Sequence, residues 1–310
     1  MPRFTSVEAT IDAAARRVLD RLPRSGPAAG LVEFIVFGLK QAWACLFGGL
    51  MLGLLLATRV AWPEGAPLAR YDFLVVAAVL VQAGMLAGRL ETLEEAKIIL
   101  AFHVAGTLME IFKTGVGSWL YPEPSLLRIA GVPLFSGFMY AAVGSYMTRI
   151  QRIFDIRFTA YPPLWTTAVL ALAVYANFFS HHFVPDLRLG LFALTGLLYR
   201  RTVMHYRVFR LRLKMPILVA FVLVALFIWF GENIGTWSHA WIYPAQRNGW
   251  APVSYEKLGS WFLLMIVSVV LVTLIHRPRA PDPAGEAVDL EGLDSNVAPA
   301  PPSTSSASPR

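Results

Sequence analysis

Apolar residues along the chain gather into blocks of about 18 to 25 separated by short polar stretches, the length at which a helix crosses a hydrocarbon layer. The blocks fall near residues 34–58, 72–90, 97–116, 132–150, 162–180, 187–204, 214–232 and 257–275. This pattern predicts an all-α, polytopic membrane helix bundle of about eight transmembrane helices over residues 31–276. The fifth and sixth blocks meet at FFSHHFVPD, which leaves only a short turn. Residues 1–30 lack the apolar core of a cleavable signal, because Arg16, Arg17, Arg21 and Arg24 interrupt any such run. Thr5 and Glu8 have capping-box spacing, and Val7, Ile11, Val18 and Leu22 recur on one face, so an interfacial amphipathic helix is expected there. A short solvated helix is the alternative. Residues 277–310 are rich in Pro, Ala and Ser without periodicity, the composition of a disordered cytoplasmic tail.

Charge fixes an expected orientation. Of the lysines and arginines flanking the blocks, nineteen lie on the side of both termini and six on the other, which places both termini in the cytoplasm. The net charge of +7 is therefore mainly a topology signal, with some attraction to anionic membrane lipids, and no aromatic-interleaved basic patch points to nucleic acid. Cys45 is the only cysteine, so neither a disulfide framework nor a cysteine metal site is expected.

One ending is written twice. Residues 110–122 read EIFKTGVGSWLYP and residues 232–244 read ENIGTWSHAWIYP, at a constant offset of 122 that Trp43 and Trp165 also obey. Glu, Thr, Trp, Tyr and Pro match in register, the mark of an internal duplication. Four spans separate the copies, so residues 34–150 and 162–275 are expected to be two parallel four-helix repeats related by an axis along the membrane normal. Glu110 and Glu232 then lie at similar depth near the outer ends of their helices. A carboxylate at such depth marks a functional site unless a partner neutralises it. Where the first copy has Ile111, Lys113 and Gly117, the second has Asn233, Gly235 and His239. The candidate chemistry is an acid/base pair, Glu110 and Glu232, with Lys113 and His239 beside it. Thr114, Trp119, Tyr121, Asn233, Thr236, Trp241 and Tyr243 are the candidate substrate contacts. Two carboxyl groups in one low-dielectric pocket share a proton readily, as acid–base chemistry or a proton-coupled carrier requires. The competing reading is an ion pair between Glu110 and Lys113, with the Trp and Tyr residues as an interfacial belt.

Other polar positions read as structural. His181, His182 and Asp186 share the outer turn between the fifth and sixth spans, but adjacent histidines seldom face one ion and no H-E-x-x-H pattern is present. No metal or cofactor is expected. His103 reads as a packed histidine, Lys40 as a lysine snorkelling to the cytoplasmic surface, and Gly49 with Gly53 and Gly84 with Gly88 as close helix contacts.

The run FHVAGTLMEIFKTGVGSWLYPEPSLLRIAGVPLFSGFMYAAVGSYM resembles the YoaT-like bacterial integral membrane proteins, a domain of unknown function, over roughly residues 30 to 275. That resemblance implies a multi-pass protein of the bacterial inner membrane and attaches no activity. Glu110, Thr114, Gly115, Trp119, Tyr121 and Gly131-Val132-Pro133-Leu134 are also similar in order to a pattern in membrane-embedded carotenoid hydratases and small lycopene cyclases. The second copy keeps Glu232, Thr236, Trp241 and Tyr243 but has APVS in place of GVPL, and the Pro-x-Glu-Glu cyclase signature is missing. This likeness implies an acid–base enzyme on a lipophilic, isoprenoid-like substrate, with Trp119 and Trp241 walling its cavity. A small-solute or proton-coupled carrier and a structural or accessory membrane protein are the alternatives. Lys40, Gln82 and His103 are nearly all the polarity in the inner halves of the spans, which favours the enzyme over the carrier.

Overall fold

The computed structural model describes residues 5–21, 26–273 and 276–281. The expected tail and residue Leu22 of the N-terminal apolar face lie wholly or largely outside that set. The compact unit ends at Arg279, and of the second unit, which starts at Ala280, only two residues are described. Among the described residues the helices are α1 (Ser6–Leu19), α2 (Pro27–Ala44), α3 (Leu46–Ala61), α4 (Arg70–Ala87), α5 (Leu93–Gly115), α6 (Phe135–Ile153), α7 (Leu164–Ser180), α8 (Arg188–Tyr199), α9 (Ile217–Trp237) and α10 (Tyr255–Thr273).

Four of these, α4, α5, α9 and α10, are long and apolar enough to cross a membrane, and α2 with α3 makes a fifth candidate bent by 68° at Cys45. The most apolar stretch, in α9, is only 22% buried within the protein. Phe34, Val60, Leu80, Leu100, Leu172, Leu197 and Phe227 likewise turn outward, an arrangement that a bilayer solvates and water does not. α7 and α8 are shorter apolar helices of 17 and 12 residues.

Between α8 and α9 the basic stretch expected as a plain loop forms a hairpin of β4 (Val203–Arg207) and β5 (Arg212–Pro216), and β3 (Arg157–Thr159) pairs antiparallel with β4. Two carboxylates stitch the loops to the bundle. Glu33 of α2 accepts from the N–H groups of Phe209 and Arg210 at the hairpin turn, at 3.2 and 2.8 Å. Asp72 of α4 accepts from Leu126 and Leu127 in the loop before β1 (Arg128–Ile129) and β2 (Val132–Pro133), at the opposite end.

Three sequence-based expectations change here. The small-residue contacts are not Gly49 with Gly53 or Gly84 with Gly88: nothing lies within 4 Å of a Cβ built on Gly49, Gly53 or Gly84. The close approach is between α5 and α6, where a Cβ on Gly106, Gly137 or Gly144 would overlap Tyr140, His103 with Thr107, or Phe102. Lys40 does not snorkel to the surface; it is buried, bonding the Val208 carbonyl at 2.5 Å and Asp12 at 2.8 Å. α1 starts with the expected Thr5–Glu8 capping box, but its packed face is Glu8, Ala15 and Leu19, while Val18 is exposed. Glu8 bonds Trp43 and Arg152, and Arg152 also bridges to Glu95. Beside them the buried Arg149 meets Glu91 at 2.9 Å, and Ser145 and Gln82 complete that carboxylate's bonds. This buried ionic network ties α1, α2, α4, α5 and α6 together at the end of the bundle away from the duplicated motif.

Candidate functional site: two aromatic-bound glutamates

Both copies of the duplicated ending close their helices in the same way. α5 stops with Gly117 at φ +75°, its N–H bonded to the Thr114 carbonyl and the Ser118 N–H bonded to the Lys113 carbonyl. α9 stops with His239 at φ +57°, its N–H bonded to Thr236 and the Ala240 N–H bonded to Gly235. These are the paired bonds of a left-handed helix stop, usually taken by glycine. His239 therefore occupies the backbone position of Gly117. Its side chain faces Arg59, Arg70 and Glu123, and desolvation followed by the Arg59 charge holds its imidazole below the ordinary histidine range. His239 is not beside Glu232.

After each stop the chain turns back, and Leu120 pairs antiparallel with Ile242 through two mutual 3.0 Å bonds. These residues stand at the same offset of 122, so each copy pairs with its own counterpart. The pairing carries Trp119, Tyr121 and Tyr243 back over the glutamates. Buried Glu110 accepts from Trp119 Nε1 at 2.6 Å, Tyr121 Oη at 2.5 Å and Tyr140 Oη at 2.7 Å. Buried Glu232 accepts from the Tyr243 hydroxyl and from Trp261 Nε1 at 2.7 Å. Trp119 meets Tyr243 edge to face at 6.1 Å, which joins the two half-sites, and Lys257 Nζ lies over both rings at 5.2 and 4.4 Å.

The Glu110–Lys113 ion pair of the competing reading is not formed. Lys113 Nζ points away to His182 Nε2 at 2.9 Å and rests on the Phe178 ring at 4.1 Å. The reason is saturation: three neutral donors already surround Glu110, and the lysine finds its acceptors on the α7–α8 turn. The differences between the copies have similarly local causes. Gly235 stands where Lys113 does, and the Trp241 ring fills the space its side chain would take, so Trp241 packs there while Trp119 reaches Glu110. Asn233 accepts from the Val253 N–H at 2.9 Å and donates to the Trp229 carbonyl, pinning the loop before α10. Thr236 accepts from Trp250 at 3.2 Å, and the buried Thr114 hydroxyl has no partner among the described residues. Of the residues read as substrate contacts, then, Tyr121, Tyr243 and Trp119 serve the carboxylates, and Asn233, Thr236 and Trp241 serve the frame.

Tyr140, Trp261 and Lys257 were not legible from the duplicated ending, because they lie beyond it on α6 and α10. Their signal is weak: Tyr140 and Phe262 share the offset of 122, and Trp261 is one residue out of register. Tyr140 and Trp261 also line a cavity of about 40 Å³ among α5, α6, α7, α9 and α10, with Phe102, Met109, Tyr175 and Ile228. Trp119 and Trp241, expected as its walls, do not line it. His181 and His182 meet Lys113, and Asp186 is bonded to Asn177 and Arg188. Among the described residues no three His, Cys, Asp or Glu side chains converge as a metal site would need.

Apolar helices of spanning length around a pair of buried carboxylates define a helical membrane protein with an acid–aromatic centre. The chain belongs to the family described as "Protein of unknown function (DUF817)", whose model matches residues 33–269. It is 38% identical over 257 residues to "Uncharacterized protein YoaT" of Bacillus subtilis (strain 168), covering 83% of this chain and 97% of that protein. No solved structure matches it.

Proposed function

We propose that the chain is a membrane-embedded acid–base enzyme that moves a proton on a lipophilic, isoprenoid-like substrate. The observation carrying this reading is that Tyr140 lines the apolar cavity and donates to Glu110 at 2.7 Å. Tyr140 offers the cavity the outer end of a two-member proton relay. With Glu110 protonated, Tyr140 gives its proton to one carbon of a substrate double bond and takes a proton from Glu110. The resulting carbocation loses a neighbouring proton to Tyr140, which returns one to Glu110, so the double bond shifts and no other reagent is consumed. Trp261 presents its ring to the cation while its N–H is held by Glu232, which keeps the ring electron-rich. The motif order shared with carotenoid hydratases supports the same class of substrate.

The reading includes an architecture. α2 with α3, then α4 to α10, make eight spans in two parallel four-helix repeats, in a bacterial inner membrane with both termini cytoplasmic. Self-pairing of Leu120 with Ile242 supports the repeat, since equivalent residues of two copies meet antiparallel on a two-fold axis. A carrier is disfavoured by the tight α5–α6 seam at Gly106, Gly137 and Gly144, which separates the glutamates from the ionic network at the other end.

The test compares lipid extracts from cells with the wild-type protein, without it, and with Tyr140→Phe or Glu110→Gln. Both variants are expected to accumulate as wild type does yet lose the isoprenoid product, Tyr140→Phe by about a hundredfold in rate or more. Full product formation by Tyr140→Phe defeats the relay.

A further inference from the structure

α5, α7 and α10 flank a second hollow, a wide-open apolar groove of about 630 Å³ on the surface of the bundle. Ala105, Tyr175, Val267 and Leu271 line both this groove and the cavity beneath Tyr140 and Trp261, so the two share a wall. Leu100, Val104, Leu108 and Leu172 of its lining are exposed, so a chain lying in it would be covered on one side only. Each of the three helices also carries, one turn from a cavity residue toward the Glu110 end, a member of a cationic cluster. On α5 Met109 is followed by Lys113, on α7 Tyr175 by Phe178, and on α10 Trp261 is preceded by Lys257.

Both lysines feel acids without pairing directly with one: Asp186 acts on Lys113, and Glu232, Glu110 and Glu256 act on Lys257. Lys113 is buried, with His182 and His181 nitrogens at 2.9 and 3.5 Å and the Phe178 ring beneath it. Lys257 rests on the rings of Tyr243 and Trp119. Neither forms a salt bridge among the described residues. Three of these acids have other partners: Asp186 with Asn177 at 3.0 Å and Arg188 at 3.2 Å, Glu232 with Tyr243 and Trp261, and Glu110 with Trp119, Tyr121 and Tyr140. His181 Nδ1 lies 3.0 Å from the Asn177 carbonyl, so as a neutral ring it donates there and turns Nε2 to Lys113 as an acceptor. Ser118 Oγ lies 3.4 Å from His182 Nε2 and completes the polar rim. Ammonium groups in so dry a setting call for an anion, and a cluster held by acceptors and rings leaves N–H donors for one.

We propose that Lys113, Lys257 and Ser118 bind the phosphate of a polyprenyl phosphate whose chain lies in the α5–α7–α10 groove and brings a double bond to Tyr140. The choice of an unsaturated chain rests on the acid–base reading above; the phosphate site stands on the lysines alone. Head and chain are then fixed at opposite ends of the same three helices, and the reacting bond is set by its distance from the phosphate.

The experiment uses the full chain in phosphatidylcholine nanodiscs and measures binding of geranylgeranyl phosphate by tryptophan fluorescence. Wild type is expected to bind geranylgeranyl phosphate at least about tenfold more tightly than geranylgeraniol or inorganic phosphate, and Lys113→Gln and Lys257→Gln are each expected to lose about tenfold. Tyr140→Phe, inactive under the relay, should bind as wild type, so a failed relay and a failed phosphate site give different results. Lys257→Gln, near the rim, keeps the test open should Lys113→Gln not fold. Equal binding of geranylgeraniol overturns the phosphate site. Equal binding of inorganic phosphate overturns the lipid as its source, and displacement by phosphatidylglycerol nanodiscs assigns the site to bulk anionic lipid instead. Unchanged binding in both lysine variants overturns the proposal outright.

Discussion

His182 shows how one side chain reports its surroundings. Its ring lies tilted against that of His181, with centroids 4.1 Å apart, and Nε2 accepts from Lys113. Desolvation, then the charges of Lys113, His181 and Lys257, hold its imidazole below the ordinary 6.5. The native state therefore resists a proton that the unfolded chain takes up freely. The linked stability is full above pH 6.5 and is lost as pH falls from there through the lower native value. Thermal melting followed from pH 7.5 to 5 should show this acid loss in wild type, and it should shrink in His182→Gln, whose amide oxygen still accepts from Lys113. An unchanged acid slope in that variant means that the cluster does not oppose the proton. At this scale the sequence was a partial guide. The glutamates, Trp119, Tyr121 and Tyr243 stood out because a duplicated motif repeats them, whereas the competing ion pair of Lys113 with Glu110 rested on helical spacing alone. Spacing identifies what a side chain can reach, and three competing donors decided what Glu110 accepted.

Helices and loops were legible where period and length suffice. The eight apolar blocks fall on α2 with α3 and on α4 to α10, and the Thr5–Glu8 cap starts α1 as its spacing requires. The 68° bend at Cys45 and the β3–β4–β5 sheet were not legible, because no proline or glycine marks the first and the basic strands carry no clean alternation. Glycine spacing also misled, since a small-xxx-small pair occurs on any face and only the partner helix decides which face is used. The α5–α6 seam makes this testable. Gly106→Ala places a Cβ under 3.0 Å from the Cγ and Cβ of Tyr140, the fixed root of that side chain, and should cost about 1–3 kcal/mol. It should also move Tyr140 off Glu110. Gly84→Ala, with nothing within 4 Å, should leave stability unchanged or slightly raised. Melting of the two purified variants checks both, and equal losses would mean that the seam is not the tight contact it is drawn to be.

For the whole molecule the two ends do different work. One end holds a buried ionic network that binds α1 to the bundle through Glu8, Arg152 and Glu95. The other holds the glutamates, with their donors drawn from both copies of the sequence motif and from α6 and α10. This division gives the proposed topology a consequence. If the excess of positive charge marks the cytoplasm, the β4–β5 hairpin lies inside with the network, and the loop bearing Asn248 lies outside with the glutamates. Single cysteines at Asn248 and Lys214, both exposed positions, can be placed in a Cys45→Ser background and treated with a membrane-impermeant maleimide. Asn248→Cys should label in intact cells, and Lys214→Cys only after the membrane is opened. The reverse pattern would put the glutamates on the cytoplasmic side and the lysine cluster with them, so a polyprenyl phosphate would have to present its head to the inner leaflet. Labelling of both positions in intact cells would mean that α9, the one long helix between them, does not cross the membrane, and the eight-span count would fall with the orientation.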